Sequence, residues 1–406
     1  MPFLAALAVI GPGIIAASAG NDSGGISTYS VAGARYGYTM LWMMLAMTPS
    51  FIIVQEMAGR MGAATGKGFS ALIRERFGVR PTFFAMLMLL VSNAATTVAE
   101  FAGIAAAMEL FGVSRFISVP IAAVVVWLLV MRGSYRNIEK VLLALSSVFI
   151  AYVIAAFLAG PDWAEVGRSF VTPRIVPDRA FIALAIGLTG TTIAPWMQFL
   201  LQSNIVDKGT TIKEWRLARW DVMVGAFAAN IIACFIIITT ATVLHPAGIA
   251  ITGAEDAAQA LAPLAGPYAE LLFAVGLLSA SVLAAAVLPL TAAYAVCEAF
   301  GWEAGLDHGW GDAPIFNGLY TVVILASAAV ILLPGLDLIG IMLLSQVVNG
   351  VLLPFLLIFM MVIINDRSIM GRHVNTRLNN VLSWTTIVVV IALTLLVLGM
   401  TVLGIG

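Results

Sequence analysis

An amide, an acid, a hydroxyl and two glycines stand together at residues 21–25, Asn21-Asp22-Ser23-Gly24-Gly25, inside a run otherwise apolar enough to cross a membrane. A carboxylate at that depth costs roughly 3 kcal/mol on insertion scales, so such a residue faces a cavity or a partner and not lipid. The Ser-Gly-Gly that follows relaxes the helix and frees backbone carbonyls. A second stretch has the same character: GLTGTTIAPWMQF, residues 187–199, puts Gly187, Gly190 and Pro195 in mid-span. Pro195 has no N–H to give, which frees the carbonyl four residues earlier, that of Thr191. Unwound backbone and a trapped ion could share the environment of such an acid. The bland alternatives are that Gly and Pro only allow a kink or tight packing, and that Thr191 and Thr192 bond back to their own helix.

The elements that must position these residues are membrane helices. The chain has 406 residues, 61% hydrophobic and 10% charged, with a mean hydropathy of +1.04, far from the composition of soluble domains. Eleven apolar runs are long enough to count as spans, approximately 3–33, 38–62, 82–111, 116–131, 138–160, 180–206, 219–243, 268–299, 314–334, 337–364 and 380–404. They are too long and too uniformly apolar for barrel strands, so the fold class is an all-α polytopic membrane protein. With the N-terminus in the cytoplasm, fifteen Lys and Arg residues fall on inner loops and five on outer ones, which puts the C-terminus outside. A net charge of -1 offers nothing to nucleic acid. No cleavable signal peptide is expected, because the first run lacks a basic start. FSALIRERFG (69–78) and IKEWRLARW (212–220) suit helices lying at the cytoplasmic interface. Residues 245–266 read as a polar outer loop with Glu255 and Asp256 solvated. Cys234 and Cys297 lie in apolar runs and read as buried structural thiols.

Broken helices in the first and sixth positions, five segments apart, match a transporter built from inverted repeats, in which the substrate site lies at the midplane where the breaks face each other. One domain, 1–406, then suffices: repeat one about 1–160, repeat two about 179–364, and an extra helix at about 380–404.

The runs GPGIIAASAGNDSGGISTYSVAGARYGYTMLW, VQEMAGRMGAATGKGFSALIRERFG, ATTVAEFAG, TIAPW, SQVVNGVLLPF and INDRSIMG occur in that order along the chain. Together they resemble the NRAMP divalent-metal transporters. The resemblance implies a LeuT-like fold and a metal ion as substrate, with no cofactor and no enzymatic activity. The partners it implies are the divalent cation and the lipid bilayer of a bacterial inner membrane; a monomer suffices, and the oligomeric state stays open.

Departures from the family pattern bear on the substrate. The family's first break reads Asp-Pro-Gly-Asn where this chain has Asp22, Ser23, Gly24 and Gly25, and its sixth helix reads Met-Pro-His where this chain has Ala194, Pro195 and Trp196. A thioether favours transition metals, whereas oxygen and water suit Mg²⁺, which sheds its hydration shell reluctantly. The pattern thus resembles the NRAMP-related magnesium transporters. It implies Asp22 as main charged contact, the Thr191 carbonyl as a direct or water-mediated acceptor, and Gln346 as an outer or occluding ligand. Asn21, Ser23 and the backbone at Gly25 and Ala194 are lesser candidates. In the family, helix 3 carries an Asp three residues before a Glu; here Thr97 stands at the Asp position and only Glu100 remains. With Trp196 at the His position and His245, His308 and His373 all in loops, uncoupled transport is expected. Two charges gain about 4.6 kcal/mol per 100 mV of inside-negative potential. Glu100 and Glu56 read as structural, with a transport role for Glu100 as the other reading. Trp196 is either packing or a wall of a widened cavity.

The competing readings are a proton-coupled Mn²⁺ or Fe²⁺ symporter of the usual family kind, and a sodium-coupled carrier of organic solutes, against which Asp22 argues. A membrane enzyme or receptor finds no nucleophile and base, zinc spacing or phosphate loop in support.

Overall fold

The computed structural model describes residues 21–131, 148, 150–305 and 310–403. Gly11, Pro12, Gly13, the start of the fifth segment with Arg132, Arg136 and Lys140, and His308 lie outside these residues. The helices are α1 (Ser23–Tyr36), α2 (Leu41–Thr65), α3 (Phe69–Phe77), α4 (Val79–Leu110), α5 (Arg115–Met131), α6 (Ile150–Ala159), α7 (Trp163–Val171), α8 (Arg179–Thr192), α9 (Pro195–Asp207), α10 (Ile212–Val243), α11 (Ala269–Phe300), α12 (Pro314–Ile331), α13 (Leu338–Asn365) and α14 (Arg377–Leu403). Every one of the eleven apolar segments has its helix here. Among the described residues, eight continuous helical stretches are long and apolar enough to cross a membrane, α1 with α2 forming one of them and α8 with α9 another.

Two boundaries differ from expectation. Residues 212–220 are no separate interfacial helix but the first turns of the 32-residue α10. The Thr211–Glu214 capping box starts that helix early: Glu214 Oε2 accepts from Thr211 N at 2.8 Å. Residues 245–266 are not simply a solvated loop. They contain the short helices Ala254–Ala258 and Ala262–Ala265, and Ala254, Ala257, Ala258, Ala260 and Leu261 are buried. Asp256 is occupied there, its carboxylate accepting from Thr252 N at 2.9 Å and Gly253 N at 3.1 Å, while Glu255 is exposed as expected. Cys297 is buried, but Cys234 only half so.

Apolar side chains gather in two buried clusters. One joins α1, the C-terminal half of α4, the end of α10 and the start of α11; the other joins α2, α3, α9 and the end of α13. The sixth segment passes from one cluster into the other at its break, with Leu188 in the first and Ile193 and Ala194 in the second. Helices α8 and α13 meet backbone to backbone. A Cβ on Gly190 would overlap the Gln346 carbonyl and the Gly350 amide, and one on Gly350 would overlap the Ile186 carbonyl. Only glycine permits that approach, as in other membrane helix pairs.

Side chains tie the ends of the bundle. Tyr36 Oη donates to Asp178 Oδ2 at 2.7 Å, linking the end of α1 to the start of α8. That bond, with the Ala180 amide and Arg35 nearby, holds the Asp178 carboxyl below its usual range. At the opposite end, Glu298 of α11 accepts from Gly68 N at 2.9 Å and from the Ser70 hydroxyl, and Gln202 of α9 donates to the Lys67 carbonyl at 2.9 Å. Glu56 pairs with Arg60 at 3.1 Å.

Candidate ion site between two helix breaks

The chain is non-helical at Asn21 and Asp22, and α1 begins at Ser23 with Asp22 as its N-cap. Asp22 Oδ1 accepts from Gly25 N at 2.6 Å, which also occupies that amide. The carboxylate is 2% exposed and sits where the amide end of a helix stabilises negative charge. Helix α4 holds the break in place: Ser23 Oγ donates to the Ala99 carbonyl at 2.9 Å, and Ser23 N donates to Glu100 Oε2 at 3.2 Å. Glu100 is fully buried and its other oxygen has no protein partner. Thr97, also buried, donates back to the Asn93 carbonyl of its own helix at 2.6 Å.

The sixth segment breaks at Ile193 and Ala194, between α8 and α9, with Pro195 at the first position of α9. The Ala194 carbonyl accepts from Met197 N at 3.2 Å and, with the Gln198 amide turned to satisfy both its ends, from Gln198 at 2.9 Å. Trp196 points away into the second apolar cluster, fully buried. Its indole N–H has no protein partner.

Two features join the breaks. Asn21, Thr191, Thr192, Tyr29 and Met197 line one small cavity, across which Tyr29 Oη lies 3.3 Å from Thr192 Oγ1. Gln346 of α13, fully buried, lies against both segments: its amide occupies the space a side chain on Gly24 would need, and its Cβ is 3.8 Å from where a Cβ on Gly187 would stand. So Asn21 of the first segment and Thr191 of the sixth share a cavity, and Gln346 from α13 reaches Gly24 beside Asp22, Ser23 and Gly25, while Ala194 caps α9, Thr97 bonds back to its own helix and Trp196 packs in the second apolar cluster. Among the described residues no three His, Cys, Asp or Glu side chains cluster in a way that would hold a resident metal.

Sequence reading missed two contributors. Met197, one turn beyond Ala194, brings a sulfur to the cavity wall, where it accepts from Gln55 Nε2 at 3.5 Å. Its helical offset from the family's Met position was the available signal. Asn349, one turn beyond Gln346, donates to Gln346 Oε1 at 3.1 Å. The fit of Gly24 makes an expectation: Gly24→Ala drives the Gln346 side chain out of the junction, and cation affinity of the purified chain falls about tenfold, as for the loss of one charge-assisted contact. Unchanged affinity by calorimetry would mean that Gln346 has no part in binding.

A model of the family described as natural resistance-associated macrophage protein-like, Nramp, matches residues 13–399. The divalent metal cation transporter MntH of Deinococcus radiodurans is 31% identical over 95% of this chain and 88% of its own length. The MntH of Burkholderia ambifaria is 28% identical over 96% of this chain and 88% of its own. Among solved structures, the Eremococcus coleocola manganese transporter superposes with a TM-score of 0.78 at 23% identity, covering 98% of this chain and 87% of that one. MhsT in complex with L-phenylalanine gives 0.61 at 17% identity over 95% of this chain and 97% of its own. The all-α, LeuT-like architecture expected from the paired breaks is therefore the architecture of this integral membrane protein. With a family model that matches residues 13–399, nearly the whole chain, the chain belongs to the Nramp family of membrane transporters.

Proposed function

We propose that this chain carries divalent metal cations across the bilayer through the junction of the two breaks. Asp22 is the charged contact, the Thr191 carbonyl an acceptor reached directly or through water, and Gln346 an occluding ligand; Asn21, Ser23 and the backbone at Gly25 and Ala194 complete the surroundings. The observation that carries the reading is the buried Asp22 at the non-helical start of α1, with Gln346 packed against both that start and α8, the helix that ends at the break of Ile193 and Ala194. The same reading makes residues of about 1–160 and 179–364 inverted repeats and sets the N-terminus in the cytoplasm.

The relatives' names support a manganese carrier of the usual family kind better than a magnesium carrier. Met197 favours the same side, since a thioether at the cavity wall is a soft atom of the sort that transition metals select. The magnesium reading rests on the donors at the breaks themselves: Gly25 and Ala194 replace an amide and a thioether, so the donors there are oxygens, which suit a hydrated hard ion. Lack of an acid at Thr97 and of a His at Trp196 speaks for uptake without protons.

Proteoliposomes holding a Mg²⁺ indicator and a pH indicator decide between the two. Magnesium entry without acidification supports the uncoupled magnesium carrier. Manganese entry accompanied by protons, with magnesium excluded, supports the manganese symporter. Entry of neither ion overturns the transport assignment of this site.

A further inference from the structure

A buried chain of neutral side chains runs from the ion junction into α4. Ser92 Oγ donates to Asn349 Oδ1 at 2.6 Å, Asn349 Nδ2 donates to Thr96 Oγ1 at 2.9 Å and to Gln346 Oε1 at 3.1 Å, and Thr96 Oγ1 donates to the Ser92 carbonyl at 2.9 Å. All four residues are fully buried, so none can exchange these partners for bulk water.

In the arrangement seen, the chain has one direction, read from its far end. The one hydroxyl proton of Thr96 goes to the nearer of two acceptors, the Ser92 carbonyl at 2.9 Å and not Asn349 Oδ1 at 3.3 Å, so Thr96 accepts from the Asn349 amide. Asn349 must then turn its oxygen to Ser92 and its N–H₂ to Gln346. Gln346 in turn spends its oxygen on Asn349 and presents its N–H₂ to Ser345 Oγ at 3.3 Å and to the backbone of α1 at Gly24. The end of the amide that faces the first break is the donor. A donor at Gly24, two residues from Asp22, suits an empty junction and opposes a cation.

We infer that Asn349 is a positioning residue which holds the carbonyl oxygen of Gln346 away from the ion junction, so that a cation must turn the Gln346 amide over before that oxygen can serve it. The inference rests on the reading of the junction as a cation site. Turning Gln346 alone would set two N–H₂ groups against each other. Turning Asn349 with it is allowed, because the hydroxyls of Ser92 and Thr96 rotate and each can either donate or accept. The chain then reverses its polarity with no proton gained or lost. Cation arrival is thereby felt on α4, two turns from the break, by a route that needs no ionisable group.

The test is calorimetric titration of the purified full-length chain in detergent with MnCl₂ and with MgCl₂. Asn349→Leu keeps the volume and removes the donor, so the Gln346 oxygen is released; the dissociation constant falls about fivefold, the worth of one neutral hydrogen bond. In a Gln346→Ala background the same substitution leaves affinity unchanged. Ser92→Ala, which frees Asn349 to turn, tightens binding in the same direction by a smaller factor and serves where the Leu variant does not fold. Weaker or unchanged binding in Asn349→Leu, or an equal effect in the Gln346→Ala background, overturns the positioning role. Cation binding by the wild type that Asp22→Asn abolishes upholds the junction while that role fails; no binding by the wild type overturns both.

Discussion

Asp22→Ala abolishes divalent cation uptake into proteoliposomes, and Asp22→Asn does the same. The pair separates two jobs of one side chain. As N-cap of α1, Asp22 accepts the Gly25 amide, and its loss to Ala costs about 1 kcal/mol of helix stability. Asn caps as well as Asp, so Asp22→Asn keeps the start of α1 and removes only the charge. Among the candidate ligands Asp22 alone is an acid, and removing one partner of a buried charge pair costs roughly 3 kcal/mol or more, at least about a hundredfold in rate. Uptake is read at a fixed ion concentration under an imposed inside-negative potential, with thermal melting in detergent as the folding control. Asp22→Asn that melts normally and transports at half the wild-type rate would sink the proposed site.

Gly190→Ala or Gly350→Ala separates α8 from α13 and destabilises the protein by about 3 kcal/mol, the upper range for overpacking. Both added methyls would meet backbone atoms, the Gln346 carbonyl and Gly350 amide in one case and the Ile186 carbonyl in the other. A side chain in the way can change rotamer; a carbonyl in a helix cannot leave without breaking its ladder. Because both substitutions open the same seam, the double variant is less destabilised than the sum of the singles. Melting in detergent reads the stability, and uptake reads the consequence, since the seam carries Gln346 to the break. A single variant that melts as wild type would mean that the two backbones are further apart than described.

The breaks were legible because they go against the chemistry of a lipid-crossing helix: an acid with Ser-Gly-Gly at 22–25 and a Pro at 195 have few other reasons to be there. Among the described residues, the long apolar helices lie where hydropathy puts them. What the sequence could not give was direction. Gln346 lies in a long apolar helix, and nothing in its neighbourhood says which face meets Gly24; only the family resemblance pointed to it. Asn349 hid for the same reason, since a polar residue in a span is visible but its partners, Ser92 and Thr96, are more than 250 positions away. The boundary error at 212–220 came from charge. Arg216 and Arg219 look like an interfacial piece, yet helix length is set by the cap at Thr211 and not by polarity. At 254–261 small alanines pack without the periodic bulk that marks a buried helix.

Glu298 and Gln202 clasp the stretch between α2 and α3 from two different helices, and this makes a clock of one amide. The Gly68 N–H is held by a carboxylate from α11, one residue from a carbonyl held by α9, so it reaches solvent only when those helices part from the hairpin. Deuterium uptake at Gly68 then measures how often that end of the transporter opens. Cation that favours the closed arrangement slows the exchange, and Glu298→Gln, with a weaker grip, quickens it. A single backbone position thus reports how firmly α9 and α11 hold the stretch between α2 and α3, without a label, a dye or a transported ion to count.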